Sequence, residues 1–212
     1  MQMNYRSLLI LLFLALGLHA APAFAAKESG GARWSENSLP MRRLAATNEI
    51  FQKYGALYHF DGLMLAAVGW QESKLDPRAR SSAGYLGMMQ IMPSTARDMG
   101  IADARPADAN VHAAAKYMDA LMTQYFSDTH LSNENRRLFA LACYNAGGHA
   151  VAQYRRVARA RGLNPSIWSG NVERVANGQT VRYVQSVDGY YDAFRHALMK
   201  ESRRAQTRHP HD

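Results

Sequence analysis

The run Gln71-Glu72-Ser73 stands just behind Leu63-Met64-Leu65-Ala66-Ala67-Val68, a stretch apolar on nearly every side. Carboxylates are rarely buried unless they are paired or functional. An apolar wall beside Glu72, supplied by Trp70 or by the methionines near Met88, would raise its proton affinity by disfavouring the charged form. A carboxylic acid still protonated near neutral pH can protonate a glycosidic oxygen. The competing description is a surface glutamate in an exposed last helical turn, and composition alone leaves both open. A second point of interest is Tyr144-Asn145-Ala146-Gly147-Gly148, a polar break directly after an apolar segment. It could set a phenol and an amide at a cleft, where they would satisfy sugar hydroxyls and N-acetyl groups. It could equally be an ordinary helix end, since Asn and Gly tolerate left-handed backbone angles. Tyr183 is similarly ambiguous between packing and chemistry.

The elements that must position these residues are helical. One helix begins near Met41 and carries Leu44, Asn48, Phe51 and Tyr54 on one side, with Gly55 expected to break or end it. The next, from about Leu63, is apolar all round and belongs in the middle of a fold. It brings Glu72 to its end, because Asp76-Pro77 is a stop signal. The glycines and serines from Arg80 to Gln90 indicate a loop or short irregular hairpin, so residues 78–92 are the only candidate β element. Pro93-Ser94-Thr95-Ala96-Arg97 reads as a helix start, closed near Gly100. Further helices are expected over Asp108 to Tyr125, Asn135 to Tyr144, Val151 to Arg161 and Val181 to Met199. No period-2 run competes, so the fold class is mostly α. A loose polar tail is expected from Glu201 to Asp212.

The chain as a whole bounds the function further. Arg6, the apolar run Leu8 to Leu18 and Ala23-Phe24-Ala25 have the three-part pattern of a secretory leader, expected to be removed as residues 1–25. Eleven residues are too few to span a bilayer comfortably, so an uncleaved anchor is the weaker alternative. Residues 26–43 read as a flexible N-terminal arm, and residues 44–200 as one catalytic-size domain. The lone Cys143 lies in an apolar run and reads as a buried thiol, since one cysteine makes no internal disulfide. No cysteine near the cleavage point offers a lipid anchor, and the expected location is periplasmic or secreted. The formal charge of +8 favours a polyanionic partner or serves solubility. For an exported protein, wall carboxylates and anionic lipid surfaces come before nucleic acid, and no nucleic-acid motif is present. The eight histidines show no zinc spacing, and neither metal nor cofactor is expected. His149 is expected at the surface or the cleft edge.

From about Ala45 to Tyr191 the chain resembles the lysozyme-like catalytic domain of the soluble-type lytic murein transglycosylases, family 23 of the glycoside hydrolases. Within that family it looks most like the catalytic domain of membrane-bound lytic murein transglycosylase F. The matching blocks are Gln71-Glu72-Ser73 with Asp76-Pro77, Ser81-Ser82-Ala83-Gly84, Gly87-Met88-Met89-Gln90, Met92-Pro93-Ser94-Thr95-Ala96, Ala142-Cys143-Tyr144-Asn145-Ala146-Gly147 and Thr180-Val181-Arg182-Tyr183-Val184. Their order, rather than any one of them, makes the match specific. The resemblance implies Glu72 as the sole catalytic carboxylate, with Tyr183 facing it to orient it or the sugar. It implies substrate contacts from Ser73, Ser81, Gln90, Met92, Tyr144 and Asn145. Met88 stands where the family usually has Leu, an apolar exchange of small cost. Gln179 stands where the family often has Glu, which keeps hydrogen bonding and removes a charge.

A two-carboxylate glycosidase needs a second Asp or Glu about 5 Å or 9 Å from the acid. Asp76 and Asp98, the nearest in sequence, fall at a helix stop and a solvent-facing turn. The resemblance instead implies a one-carboxylate route to a 1,6-anhydromuramyl end on peptidoglycan strands. The alternatives are a goose-type lysozyme on the same fold, in which water attacks, and a noncatalytic peptidoglycan-binding protein. A monomer is expected. General wall turnover and local opening of the wall for a secretion system, flagellum or pilus partner both fit the sequence.

Overall fold

A computed structural model describes residues 34–127 and 130–208. The expected leader, residues 26–33 of the arm and residues 209–212 lie outside the described residues. Among those described, helices α1 (Leu39–Tyr58), α2 (Gly62–Ser73), α3 (Pro93–Asp98), α4 (Ala107–Phe126), α5 (Asn133–Ala146), α6 (Gly148–Ala160) and α7 (Gly178–Arg208) follow in order, with a 3₁₀ turn at Val172–Arg174. The mostly α expectation holds. Among the described residues, extended backbone pairs only in the isolated antiparallel bridges Arg80 to Leu86 and Leu86 to Ile91, inside the segment expected to be irregular.

α2 is the axis of the fold. Asp61 caps its start by accepting from the Leu63 amide at 2.8 Å. From Met64 to Trp70 every residue is buried, against α1 on one side and α7 on another. Its end is a left-handed pair, Lys74 at φ 60° and Leu75 at φ 61°. The Arg43 guanidinium of α1 donates to the Lys74 carbonyl at 2.7 Å and satisfies one of the carbonyls a helix end leaves free.

Three boundaries differ from the sequence reading. Gly55 does not end α1, which runs on to Tyr58. A Cβ there would lie 2.7 Å from the Phe60 carbonyl oxygen and 2.9 Å from the Gly62 nitrogen, so the glycine admits the returning chain instead of breaking the helix. The arm does not extend to residue 43, because α1 starts at Leu39 with Pro40 in its first turn, where a missing N–H costs nothing. Trp34 also packs on the core, with its ring centroid 5.6 Å from Trp70, 5.9 Å from Tyr190 and 4.6 Å from Phe194. The polar tail is helical as far as Arg208. Glu201-Ser202-Arg203-Arg204-Ala205-Gln206 contains no breaker and several good helix formers, so α7 simply propagates.

Candidate active site

Glu72 is the penultimate residue of α2. Tyr183, in the second turn of α7 and only 8% exposed, donates its hydroxyl to Glu72 Oε1 at 2.7 Å. α7 is started for this task by Asn177, whose Oδ1 accepts from the Thr180 amide at 2.7 Å. Gln179, the departure from the family pattern, is exposed in that first turn. A glutamate there would favour the positive end of the helix, a small gain that Gln forgoes.

Glu72 as a whole residue is half-buried, while its carboxyl end is enclosed densely by protein. Burial pushes its pKa from 4.5 up to about 7, against the downward pull of the Tyr183 hydroxyl. Burial and the nearby Glu72 hold the Tyr183 and Tyr144 phenols well above the usual tyrosine range. Glu72 is thus protonated in a large fraction of molecules near pH 7, while both phenols keep their protons.

The turn Leu86–Ile91 lies beside Glu72's helix end and is tied down from three directions. Ser73 donates from Oγ to the Met88 carbonyl at 2.8 Å and accepts from the Asp76 amide at 3.1 Å. Tyr144, in the last turn of α5, donates to the Met89 carbonyl at 2.7 Å. Asn110 of α4 accepts from the Met89 amide at 2.8 Å and donates to the Leu86 and Ala104 carbonyls at 2.9 and 3.0 Å. Met88 and Met89 have no exposed surface. Gln90 adopts φ 44° and donates from Nε2 to the Gly87 carbonyl at 2.9 Å, closing the turn on itself.

The structure therefore brings Glu72, Tyr183, Ser73, Tyr144 and Gln90 into one neighbourhood. The donors of Ser73, Tyr144 and Tyr183 are already committed within the protein, which leaves their hydroxyl oxygens as acceptors. Ser81 Oγ accepts from the Tyr85 amide at 3.0 Å and fixes the preceding turn. Met92 caps the start of α3 and is half-buried, as is Asn145 next to Tyr144. Asp76 accepts from the Arg78 amide at 2.9 Å and shapes its own turn, as the sequence suggested. Cys143 is fully buried with its thiol pushed up to about 12, and His149 is exposed. Asn110 escaped sequence reasoning. Its signal was a polar residue four positions before Ala114 on the apolar stripe of α4.

The arrangement can hold a proton on one carboxyl and return it to the same group as a base. Comparison with known proteins agrees with this chemistry. The Transglycosylase SLT domain family matches residues 49–166. Membrane-bound lytic murein transglycosylase F of Desulfosudis oleivorans is 32% identical over 167 residues, which cover 71% of this chain and 36% of that protein. The protein of the same name from Vibrio cholerae is 31% identical over 149 residues, covering 70% and 27%. The chain thus spans about a third or less of the curated relatives it matches. Among solved structures, an inactive point variant of lytic transglycosylase Slt from Pseudomonas aeruginosa superposes with a TM-score of 0.58 at 27% identity, covering 76% of this chain and 26% of that one. The 70 kDa soluble lytic transglycosylase of Escherichia coli shares the fold with a TM-score of 0.59 at 24% identity, covering 76% and 26%. The match over residues 49–166 takes in Glu72, the Leu86–Ile91 turn and Tyr144, and by it this chain belongs to the Transglycosylase SLT domain family.

Proposed function

We propose that this protein is a peptidoglycan lytic transglycosylase that cleaves the β-1,4 bond between N-acetylmuramic acid and N-acetylglucosamine. The observation that carries the reading is Glu72 itself: one carboxyl, held protonated near neutrality by burial and oriented by Tyr183, with family membership around it. Glu72 gives its proton to the glycosidic oxygen as the C1–O bond breaks, and the N-acetylglucosamine side leaves as a neutral alcohol. The 2-acetamido oxygen of the muramyl sugar stabilises the charge that develops at C1. Glu72, now a carboxylate, takes the proton of the muramyl C6 hydroxyl, whose oxygen closes on C1. The product is a 1,6-anhydromuramyl end, no water is consumed, and Glu72 ends protonated as it began. An attacking group already attached to the substrate carries a large proximity advantage over water. Tyr183 orients the carboxyl, while Ser73, Ser81, Gln90, Met92, Tyr144 and Asn145 shape the cleft that receives the sugars.

The leader pattern supports action in the periplasm or outside the cell. No helix among the described residues is long and apolar enough to cross a membrane. The test is mass spectrometry of the muropeptides released from purified peptidoglycan, with Glu72→Gln beside the wild type. Anhydromuramyl products, lighter by one water than hydrolytic ones and lost in the variant, are expected. Reducing-end products would instead make the protein a lysozyme, and a folded protein that releases nothing would be a binding protein.

A further inference from the structure

Asn110 is a fully buried polar side chain, and two of its three hydrogen bonds go to the Leu86–Ile91 turn. Oδ1 receives the Met89 amide, and the two Nδ2 protons go to the Leu86 and Ala104 carbonyls. The contact is also a close one. A Cβ on Gly87 would stand 2.5 Å from both Cγ and Nδ2 of Asn110, so the amide lies directly against the Gly87 backbone, which itself adopts φ +70°. Both facts require glycine at 87. The turn clamped in this way supplies the Met88 carbonyl that holds Ser73, Glu72's chain neighbour, and the Met89 carbonyl that holds Tyr144.

We propose that Asn110 is a positioning residue for Glu72: its amide clamps the Leu86–Ile91 turn, and through that turn it fixes the end of α2 and the Tyr144 phenol next to the catalytic carboxyl. The proposal takes from the preceding section that Glu72 is the acid/base group. Only a carboxamide fits the role. Aspartate could receive the Met89 amide but would set a negative charge against two carbonyl oxygens, and leucine of similar size would strip the Met89 amide and the Ala104 carbonyl of this partner and leave the Leu86 carbonyl only the Ile91 amide. A loosened turn would admit water behind Ser73 and Tyr144, and the burial that keeps Glu72 protonated would weaken. The titratable side chain acting on Glu72 is Tyr183 of α7, while Glu72 in turn raises the Tyr144 phenol of α5, which Asn110 holds indirectly through the turn.

The test compares Asn110→Ser, which loses most of the clamp, with Leu121→Ala, a core truncation on the same helix with no bond to the turn. Each full-length variant is followed by thermal unfolding, by ¹³C-carboxyl NMR titration of Glu72 assigned through Glu72→Gln, and by the kinetics of muropeptide release. For Asn110→Ser the Glu72 midpoint should fall from about 7 toward 4.5. Its kcat should drop by about 10- to 100-fold with KM nearly unchanged, the scale on which a misplacement of about 1 Å acts. Leu121→Ala should lose stability and keep both the midpoint and kcat. If Asn110→Ser does not fold, Gly87→Ala, which wedges a methyl against the same amide, is measured in its place with the same expectation. An unmoved Glu72 midpoint in the folded variant, an equal movement in Leu121→Ala, or failure of both turn variants to fold would each overturn the proposal in favour of a purely structural asparagine. The titration needs no turnover, so a wild type that cleaves no glycan would remove the enzymatic reading while still deciding the role of Asn110.

Discussion

At the scale of single residues the decisive competition is over the Glu72 proton. Burial favours the neutral acid, the Tyr183 hydroxyl favours the carboxylate, and burial wins. Phenylalanine at 183 removes the weaker side of that contest, so Glu72 should titrate above 7 in Tyr183→Phe. Because the base half of the cycle needs the carboxylate and the acid half the proton, the wild-type rate should decline above about pH 7. That limb should move to higher pH in Tyr183→Phe, with a maximal rate lower by about tenfold for lost orientation. A pH–rate profile of both proteins checks the sign, and a limb that moved downward would mean the hydroxyl does not favour the carboxylate. The same shift has a stability consequence. Between pH 4.5 and 7 the unfolded chain releases this proton while the folded one keeps it, so Glu72 erodes stability as pH rises through that window. Glu72→Gln should therefore be isostable near pH 4 and more stable above pH 7, by at most about 3 kcal/mol. Denaturant unfolding at the two pH values measures it, and activity should fall by about 10²- to 10⁴-fold in the same variant.

The elements matter through where they end. Most side chains of the proposed site sit at a helix terminus: Glu72 and Ser73 in the last turn of α2, Tyr144 and Asn145 in the last turn of α5, Met92 at the start of α3, Tyr183 near the start of α7, while Ser81 and Gln90 lie in the connection from α2 to α3. Helix ends leave backbone groups without partners, and here those groups are taken up by side chains from neighbouring helices, Arg43 on Lys74 among them. The turn from α1 to α2 sets the register of this arrangement. Gly55→Ala would press a methyl against the backbone of Phe60 and Gly62, which cannot rotate away as a side chain could. A loss of about 1–3 kcal/mol is expected, read as a lowered Tm, with Glu72's chemistry intact in the molecules that remain folded. Helix interiors were legible from apolar periodicity at Leu44, Phe51, Val111, Met118, Val187 and Phe194. Their ends were less so. Gly55 reads as a breaker because sequence shows its freedom and hides the chain that needs the space, and the α7 extension to Arg208 shows that polarity alone does not stop a helix.

For the whole molecule the charge of +8 is the feature with consequences beyond the cleft. Arg156 and Arg159 on α6, Arg161 just past its end, and Arg182, Lys200 and Arg203 on α7 all lie exposed. Peptidoglycan stem peptides carry carboxylates, so under the proposed function long-range attraction should hold the protein on sacculi. Co-sedimentation of the Glu72→Gln protein with purified sacculi should weaken several-fold between 50 and 300 mM salt, as screening shortens the reach of these charges. Retention that ignored salt would assign binding to uncharged sugar contacts instead.

What the sequence determined alone was the inventory and its order. An apolar helix ending in Gln-Glu-Ser, a glycine-rich turn, the Tyr-Asn-Ala-Gly break and the Thr-Val-Arg-Tyr block are local patterns, and local patterns survive in one dimension. Tertiary structure decided which of them meet. The Tyr183 hydroxyl reaches Glu72 across 111 positions of chain, and Tyr144 reaches Met89 across 55. It also tied Ser73 and Tyr144, expected as substrate contacts, to backbone carbonyls of the Leu86–Ile91 turn, and joined Asn110, one polar letter on an apolar stripe, to the same turn. The physical reason is that burial and hydrogen-bond partners are properties of the packed chain. A carboxyl's proton affinity depends on what excludes water from it, and that is settled only when α2, α5 and α7 close around Glu72.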